Sequence, residues 1–330
     1  MTLRTTKTTK TTETMETMET TETMRTARIH AYGDASVISY DDVARPSPAA
    51  GEVLIRVAAT SFNPSEAALR AGLLRAFLPV DLPHTLGWDV AGTVAGTGTG
   101  TRGFGVGDLV IGRLDGAGSA AEYVRAPVEV LVAAPRSVPL AQAAALPVAG
   151  LTAWQAVFEH GRVSAHQRVL VNGAGGGVGG FVTQLAKHAG AEVIATAGAR
   201  SAAAVRGQGA DQVIDYTAGP LAAALDGPVD TLLNLVPLGP PDAAALVPLV
   251  RPGGRIVSIA TPVEPPADAG VTALHMVARN DPGQLAALVE LVDAGVITID
   301  ISESHPLSAL ADVHRRSAAG RIRGKVIIIP

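Results

Sequence analysis

The sequence predicts an α/β protein in which a doubly wound parallel sheet, with helices on both faces, is joined to a second, β-rich domain. Three observations carry this expectation. From Arg168 onward β-like runs alternate with helical ones, the pattern of βαβ units. From Ala27 to about Ala126 short β-type runs are broken by Gly and Pro instead. Between Arg168-Val-Leu-Val and Phe181-Val-Thr-Gln-Leu-Ala-Lys lies Asn172-Gly-Ala-Gly-Gly-Gly-Val-Gly-Gly, six glycines in nine residues, at a place where a strand would turn into a helix.

Length and composition narrow the function. At 330 residues the chain exceeds the roughly 100–200 residues of one domain, so two are expected. A hydrophobic fraction of 47% with 17% charged residues describes a globular protein with a large interior. No run approaches the roughly 18–20 consecutive apolar residues of a membrane span. A net charge of −4 and 3% aromatic residues argue against nucleic acid as a partner and for a small molecule. The absence of cysteine removes disulfides, thiolate nucleophiles, Fe–S clusters and sulfur-ligated zinc. The N-terminus shows no apolar segment followed by a small-residue cleavage site, so a cytoplasmic protein is expected.

Taken in order, residues 1–26 read as a disordered tail. Residues 1–28 hold thirteen threonines, four methionines and four glutamates in near-repeats, with too few aliphatic side chains to offset the entropy of ordering. A short interaction tail and a translation start at Met24 are the other readings of this segment. Residues 27–145 follow as the β-rich domain, with the runs Val53-Leu-Ile-Arg-Val-Ala, Val90-Ala-Gly-Thr-Val, Asp108-Leu-Val-Ile-Gly and Ala121-Glu-Tyr-Val separated by Gly- and Pro-rich turns. Residues 146–270 form the parallel-sheet domain, and 271–330 return to the first, ending in the β run Ile322–Ile329.

The glycine-rich turn gains meaning from its flanks. After it, Val178, Phe181, Val182, Leu185 and Ala186 fall at helical spacing on one face. The motif Ala174-Gly175-Gly176-Gly177-Val178-Gly179 is G-x-G-x-x-G with alanine in first place. Gly176 lets the backbone approach a pyrophosphate, Gly179 lets the helix pack on the strand, and the helix N-terminus offers free N–H groups. An acid about 20 residues on would accept from the ribose 2′-hydroxyl of NAD. Residues 193–210 contain none, and Gly198, Arg200 and Ser201 supply room and positive charge for a 2′-phosphate. The expected cofactor is NADP(H).

The combination of Gly173-Ala-Gly-Gly-Gly-Val-Gly, Leu146-Pro-Val-Ala-Gly-Leu-Thr-Ala-Trp, Leu86-Gly-Trp-Asp-Val-Ala-Gly and Gly320-Arg-Ile-Arg-Gly-Lys-Val resembles the medium-chain dehydrogenase/reductase superfamily, in its zinc-independent quinone oxidoreductase branch. The likeness runs from about Ala27 to Pro330. It implies a GroES-like β domain clasping a Rossmann domain, NADP(H) in the cleft between them, and a homodimer joined through the Rossmann sheet. By resemblance Asn63 lies beside the nicotinamide, Thr152 contacts the same end of the cofactor, Tyr216 lies near the 2′-phosphate, and Arg323 faces the cleft. Asn234 and Ala260 complete the expected cofactor-binding set.

Zinc-dependent relatives carry Cys where this chain has Asn63 and Gly-His-Glu where it has Gly87-Trp88-Asp89. The sulfur and the imidazole are then gone, Asp89 alone cannot supply the three protein ligands that zinc catalysis needs, and the eight histidines show no ligand spacing. No metal is expected. Without a Lewis acid an activated acceptor is the easier substrate, because the charge brought by a hydride delocalises onto oxygen and hydrogen-bond donors suffice. Asn63 is the expected catalytic residue, as such a donor or as an orienter of the nicotinamide. The tyrosine that some quinone reductases carry after Arg-x-Gly is absent, since Leu73-Leu74 follow Arg70-Ala-Gly. The leading function is an NADPH-dependent reductase of a quinone or an α,β-unsaturated carbonyl. An enoyl thioester reductase of specialised metabolism and a non-catalytic NADPH-binding sensor or structural protein stand beside it.

Overall fold

The computed structural model describes residues 22–116 and 118–330. Its N-terminal part holds β1 (Thr23–Ile29), β2 (Ile38–Ala44), β3 (Glu52–Ser61), β4 (His84–Thr85), β5 (Asp89–Thr97), β6 (Leu109–Arg113), β7 (Tyr123–Pro127) and β8 (Leu131–Ala133), with α1 (Pro64–Arg70) after β3. Strand β1 pairs antiparallel with β2 from Thr23↔Ala44 to Ile29↔Ile38, and with β4. This corrects the extent of the expected tail: Thr23–Thr26 are strand. The ladder satisfies their backbone groups, and Met24 is only 8% exposed. The remainder of that expectation falls on residues 1–21, outside the described residues.

A short α2 (Leu140–Ala143) and α3 (Pro147–Trp154) lead into the parallel sheet, made of β9 (Arg168–Asn172), β10 (Glu192–Thr196), β11 (Gln212–Ile214), β12 (Val229–Asn234), β13 (Val250–Ser258) and β14 (Thr272–His275). Between them run α4 (Gly177–His188), α5 (Ala202–Gly207), α6 (Leu221–Ala224) and α7 (Pro240–Ala244). The strand order is β11-β10-β9-β12-β13-β14, every pair parallel. This is the doubly wound order whose direction reverses between β9 and β12, and such a switch point opens a crevice at the carboxyl ends of the strands.

The alternation of side chains along these strands explains why they read as unbroken apolar runs. Val169, Val171, Val193, Ala195, Leu233 and Val257 join the core on one face, with Leu185, Leu285 and Leu288 from the helices. Leu170, Ile194, Leu232 and Ile256 join the core on the other, with Leu246 and Leu249. Both faces are dry, so both positions of the two-residue period must be apolar.

The parallel sheet reaches past the expected limit at residue 270, because β14 is its sixth strand. The next helix, α8 (Pro282–Asp293), packs beside α3, with Leu285, Leu288 and Val292 in the same core. The chain returns to the β-rich body only afterwards, through β15 (Ile301–Pro306), α9 (Leu310–Ala318) and β16 (Lys325–Ile329). Strand β16 pairs antiparallel with β3, Ile327 opposite Ser61 and Ile328 opposite Thr60, in a sheet ordered β15-β16-β3-β5-β6-β8. The C-terminal run thus lies beside α1 and directly in front of the glycine-rich turn, where Gly324 N–H donates to Gly175 O at 3.1 Å.

Candidate active site

At the switch point the turn between β9 and α4 has the shape that its sequence requires. A side chain on Gly179 would bring its Cβ within 2.4 Å of Gly173 O and 2.6 Å of Ala174 Cα, so only glycine lets α4 pack on the turn. A Cβ on Gly176 would meet nothing nearer than Gly173 O at 3.5 Å, which leaves its outer face open. Gly176 precedes the first turn of α4, whose leading N–H groups lack partners within the helix and carry the positive end of its dipole. Ala174 is buried, and Val178 packs on the core, so these two shape the cradle from behind.

In front of the turn lies a cleft of about 1110 Å³. Gly176, Gly198, Arg200, Ser201, Tyr216 and Arg323 line it, which brings six of the expected residues together. Arg200 is exposed, and its guanidinium donates to Gly320 O across the cleft at 2.8 Å. The Tyr216 ring, 58% exposed, stands beside Gly198. Asp215 also lines this end, but its carboxylate accepts from Thr217 N–H at 2.9 Å and from the Thr217 hydroxyl at 2.7 Å, which holds its pKa below the usual range. Arg323 is paired with Asp300, at 2.5 and 3.2 Å.

Asn234 and Ala260 lie elsewhere, as does Thr152, in the buried site described below. Asn234 is completely buried under the cleft. Its Oδ1 accepts from Asn172 at 2.9 Å, and its Nδ2 donates to Val236 O and Ser258 Oγ at 3.0 Å each. Thr196 Oγ1 donates to Asn172 Oδ1 at 2.9 Å and accepts from Gly173 N–H at 2.8 Å. The last residues of β10, β9, β12 and β13 thus form one polar ladder, and Asn234 braces the floor of the cleft. The legible signal was a polar residue closing each of four apolar strands. Ala260 is exposed just beyond β13 and is not among the residues lining the cleft.

Asn63 sits in a second, buried site. Its Nδ2 donates to Asp89 Oδ2 at 2.8 Å, Glu66 Oε1 at 3.0 Å and Ser61 O at 3.3 Å, while its Oδ1 accepts from Lys325 Nζ at 2.9 Å. Both amide hydrogens are engaged inside the protein. Lys325 Nζ also donates to Phe62 O at 3.2 Å and lies 3.7 Å from Asp89 Oδ2. Asp89 Oδ1 accepts from Val148 N–H at 2.7 Å, in the first turn of α3, and Ser61 Oγ donates to Asp89 Oδ2. Thr152, one turn further along α3, is half-buried and donates to Val148 O at 2.7 Å. Glu66 Oε2 accepts from Gly87 N–H at 2.9 Å.

Burial governs the charges of this hub. Glu66 is pushed up to about 7, mainly by desolvation, against the hydrogen bond from Asn63. Burial also lowers the pKa of Lys325, opposed by Asp89 and Glu66. The sequence reading missed Lys325, Asp89 and Glu66 as members of a common site. Their signal was faint: Lys325 and Asp89 are charged residues each opening an otherwise apolar strand.

Residues 49–136 match the family model described as alcohol dehydrogenase GroES-like domain, and residues 208–328 the one described as zinc-binding dehydrogenase. The chain is 34% identical over 320 residues to the chloroplast envelope quinone oxidoreductase homolog of Arabidopsis thaliana, covering 90% of this chain and 95% of that one. It is 31% identical over 312 residues to the chloroplastic NADPH-dependent alkenal/one oxidoreductase of the same plant, covering 91% of this chain and 78% of the relative. The solved quinone oxidoreductase of Coxiella burnetii superposes with a TM-score of 0.85 at 29% identity, over 94% of this chain and 100% of that one.

Proposed function

Because the chain belongs to the medium-chain dehydrogenase/reductase superfamily, in its quinone oxidoreductase-like branch, we propose that it is an NADPH-dependent oxidoreductase whose hydride acceptor is a quinone or an α,β-unsaturated carbonyl. The observation that carries this is the cleft at the switch point, with an open glycine cradle at its base and Arg200, Gly198 and Tyr216 at one end. These residues fit NADP(H). Gly176 and the first turn of α4 take the pyrophosphate, Arg200 and Tyr216 take the 2′-phosphate, and Ser201 completes that end with its backbone held to Gly198 O at 3.0 Å. Asn63 and Thr152, both tied to the buried hub, fix the nicotinamide end. Arg323, held by Asp300, shapes the wall nearest the turn.

Bound NADPH supplies the hydride that no side chain of the protein could. The protein orients donor and acceptor and excludes water, which is most of what an already activated acceptor requires.

We propose that no zinc takes part. One matching family model is described as zinc-binding, but the side chains here do not suit the ion. Where a ligand set would stand, Lys325 presents an ammonium and Asn63 presents amide hydrogens to Asp89. A buried cation repels a second one, and the Asn63 carbonyl oxygen, the one lone-pair donor of the two groups, is taken by that ammonium.

A homodimer through the edge of the parallel sheet is supported by β14, whose outer side is unpaired among the described residues and whose neighbourhood exposes Leu274 and Val277. Light scattering coupled to size exclusion checks it, a monomer at micromolar concentration being the contrary result. No helix among the described residues is long and apolar enough to cross a membrane.

The test of function is NADPH consumption with a panel of quinones, enones and enoyl thioesters. Turnover of the first two classes is expected. Turnover confined to thioesters would assign the enoyl reductase activity instead, and tight NADPH binding with no turnover would assign a sensor or structural role.

A further inference from the structure

Lys325 is 4% exposed, and a lysine so placed must be held for a reason, since burial disfavours its charged form. It is the cation of a hub that also holds two carboxylates, Asp89 and Glu66. Its contacts lead to different elements around the site. The ammonium donates to Asn63 Oδ1 and thereby selects one orientation of that amide, because the flipped amide would set N–H against N–H. The same ammonium faces Asp89, whose other oxygen holds the first turn of α3, the helix of Thr152. The methylene stem lies against Gly177, where a Cβ would come within 2.7 Å of Lys325 Cδ and 3.2 Å of Gly324 O. Gly177 is the first residue of α4, and Gly324 bridges to Gly176 of the pyrophosphate turn. One side chain therefore touches both the turn that would hold the pyrophosphate and the residue beside the nicotinamide.

We propose that Lys325 is a positioning residue for hydride transfer, setting Asn63 and the first turn of α4 in register with each other, a role that rests on the NADPH-dependent function proposed for the cleft. It acts through its neighbours and touches no reacting atom.

The experiment uses the full-length protein with Lys325→Met, Lys325→Arg, Asn63→Ala and the Asn63→Ala/Lys325→Met pair. Measured are kcat, the NADPH Kd, the fluorescence anisotropy of bound NADPH, the kinetic isotope effect with NADPH deuterated at the transferred position, and Tm. Lys325→Met should lower kcat by about 10- to 100-fold, the loss that a misplacement of about 1 Å causes, while the NADPH Kd changes by less than about threefold. The isotope effect should rise as the chemical step becomes limiting. In the Asn63→Ala background the same substitution should lower kcat by less than about twofold further, because the two act as one unit.

Lys325→Arg keeps the charge, and with it the fold, but its longer planar head cannot keep both contacts, so kcat should fall while Tm stays near that of the unaltered protein. Wild-type kcat in Lys325→Arg, or multiplicative losses in the double variant, would overturn the role. Should the unaltered protein turn over no acceptor, the proposed function fails first. Lys325 is then judged by bound NADPH: lower anisotropy in Lys325→Arg at equal occupancy supports positioning, and unchanged anisotropy refutes it.

Discussion

The rim of the cleft and the buried hub are built on opposite principles. At the rim Arg200 and Tyr216 stand in solvent on loops, each making few contacts, with a single hydrogen bond from Arg200 to Gly320 O bridging the mouth. In the hub Asn63, Glu66, Asp89 and Lys325 are buried together and bond to one another, to the Ser61 hydroxyl and to nearby backbone. Contacts in water are weak, screened and independent. Contacts in a dry network are strong and conditional on one another. The exposed rim should therefore decide which cofactor is preferred, and the buried hub whether the two halves of the site align at all.

The sharpest way to break this contrast is to remove the anion on which the hub turns. Asp89→Ala leaves the Lys325 ammonium buried without its partner and the α3 N-terminus without an acceptor at Val148 N–H. Loss of about 3–5 kcal/mol of unfolding free energy is expected. Urea denaturation checks it, and a loss below about 1 kcal/mol would mean that the hub is not coupled as described.

The next effect is one of pH. Glu66 is raised from an ordinary 4.5 to about 7, so the folded protein holds a proton that the unfolded chain releases. A carboxyl raised in this way contributes its full stability below about 4.5 and loses it as pH climbs through about 7. Between pH 5 and 8 this group should cost up to about 3 kcal/mol of stability, following 1.36 kcal/mol per pH unit. Glu66→Gln should flatten that slope in denaturation curves measured across the range. An unchanged slope would place the titrating group elsewhere.

The same contrast separates what could be read in the sequence from what could not. The glycine turn, the apolar strands and the acid-free run that holds Arg200 are local: neighbours along the chain carry their meaning, and a strand, a turn and a helix follow from periodicity. The hub is assembled from residues 63, 66, 89 and 325, whose proximity depends on β16 returning to pair with β3. The return itself was expected, but no local pattern encodes its register, so Asn63 was legible as a position and illegible as one member of a buried network. The bonds of Asn234 were hidden for a related reason: cross-strand register decides what the end of a strand at a switch point faces inside the protein. Here Asn234 sits opposite Asn172 and Ser258, and their side chains claim it. The start of β1 was hidden because Thr and Met alone do not reveal a partner strand. Thr23–Thr26 are ordered by Asp41–Ala44, which lie beyond any window centred on the tail.

The smallest expected effect lies at the exposed rim and tests its independence. Arg200 makes one hydrogen bond within the protein, in solvent, so Arg200→Ala should change Tm little, by less than about 1 kcal/mol in equivalent stability. Its effect should appear only when a 2′-phosphate is present, because a charge-assisted contact to that group is what the substitution removes. NADPH affinity should fall by about tenfold, the equivalent of 1.4 kcal/mol, with NADH affinity unchanged and kcat at saturating NADPH within about twofold. The NADPH preference should also weaken with salt in the unaltered protein and not in the variant, since an exposed ion contact is screened over roughly 8–10 Å at physiological ionic strength. Fluorescence titrations with both nucleotides at two salt concentrations decide it. Equal losses for NADPH and NADH would show that Arg200 shapes the cleft as a whole, and the rim and the hub would then have to be treated as one coupled structure.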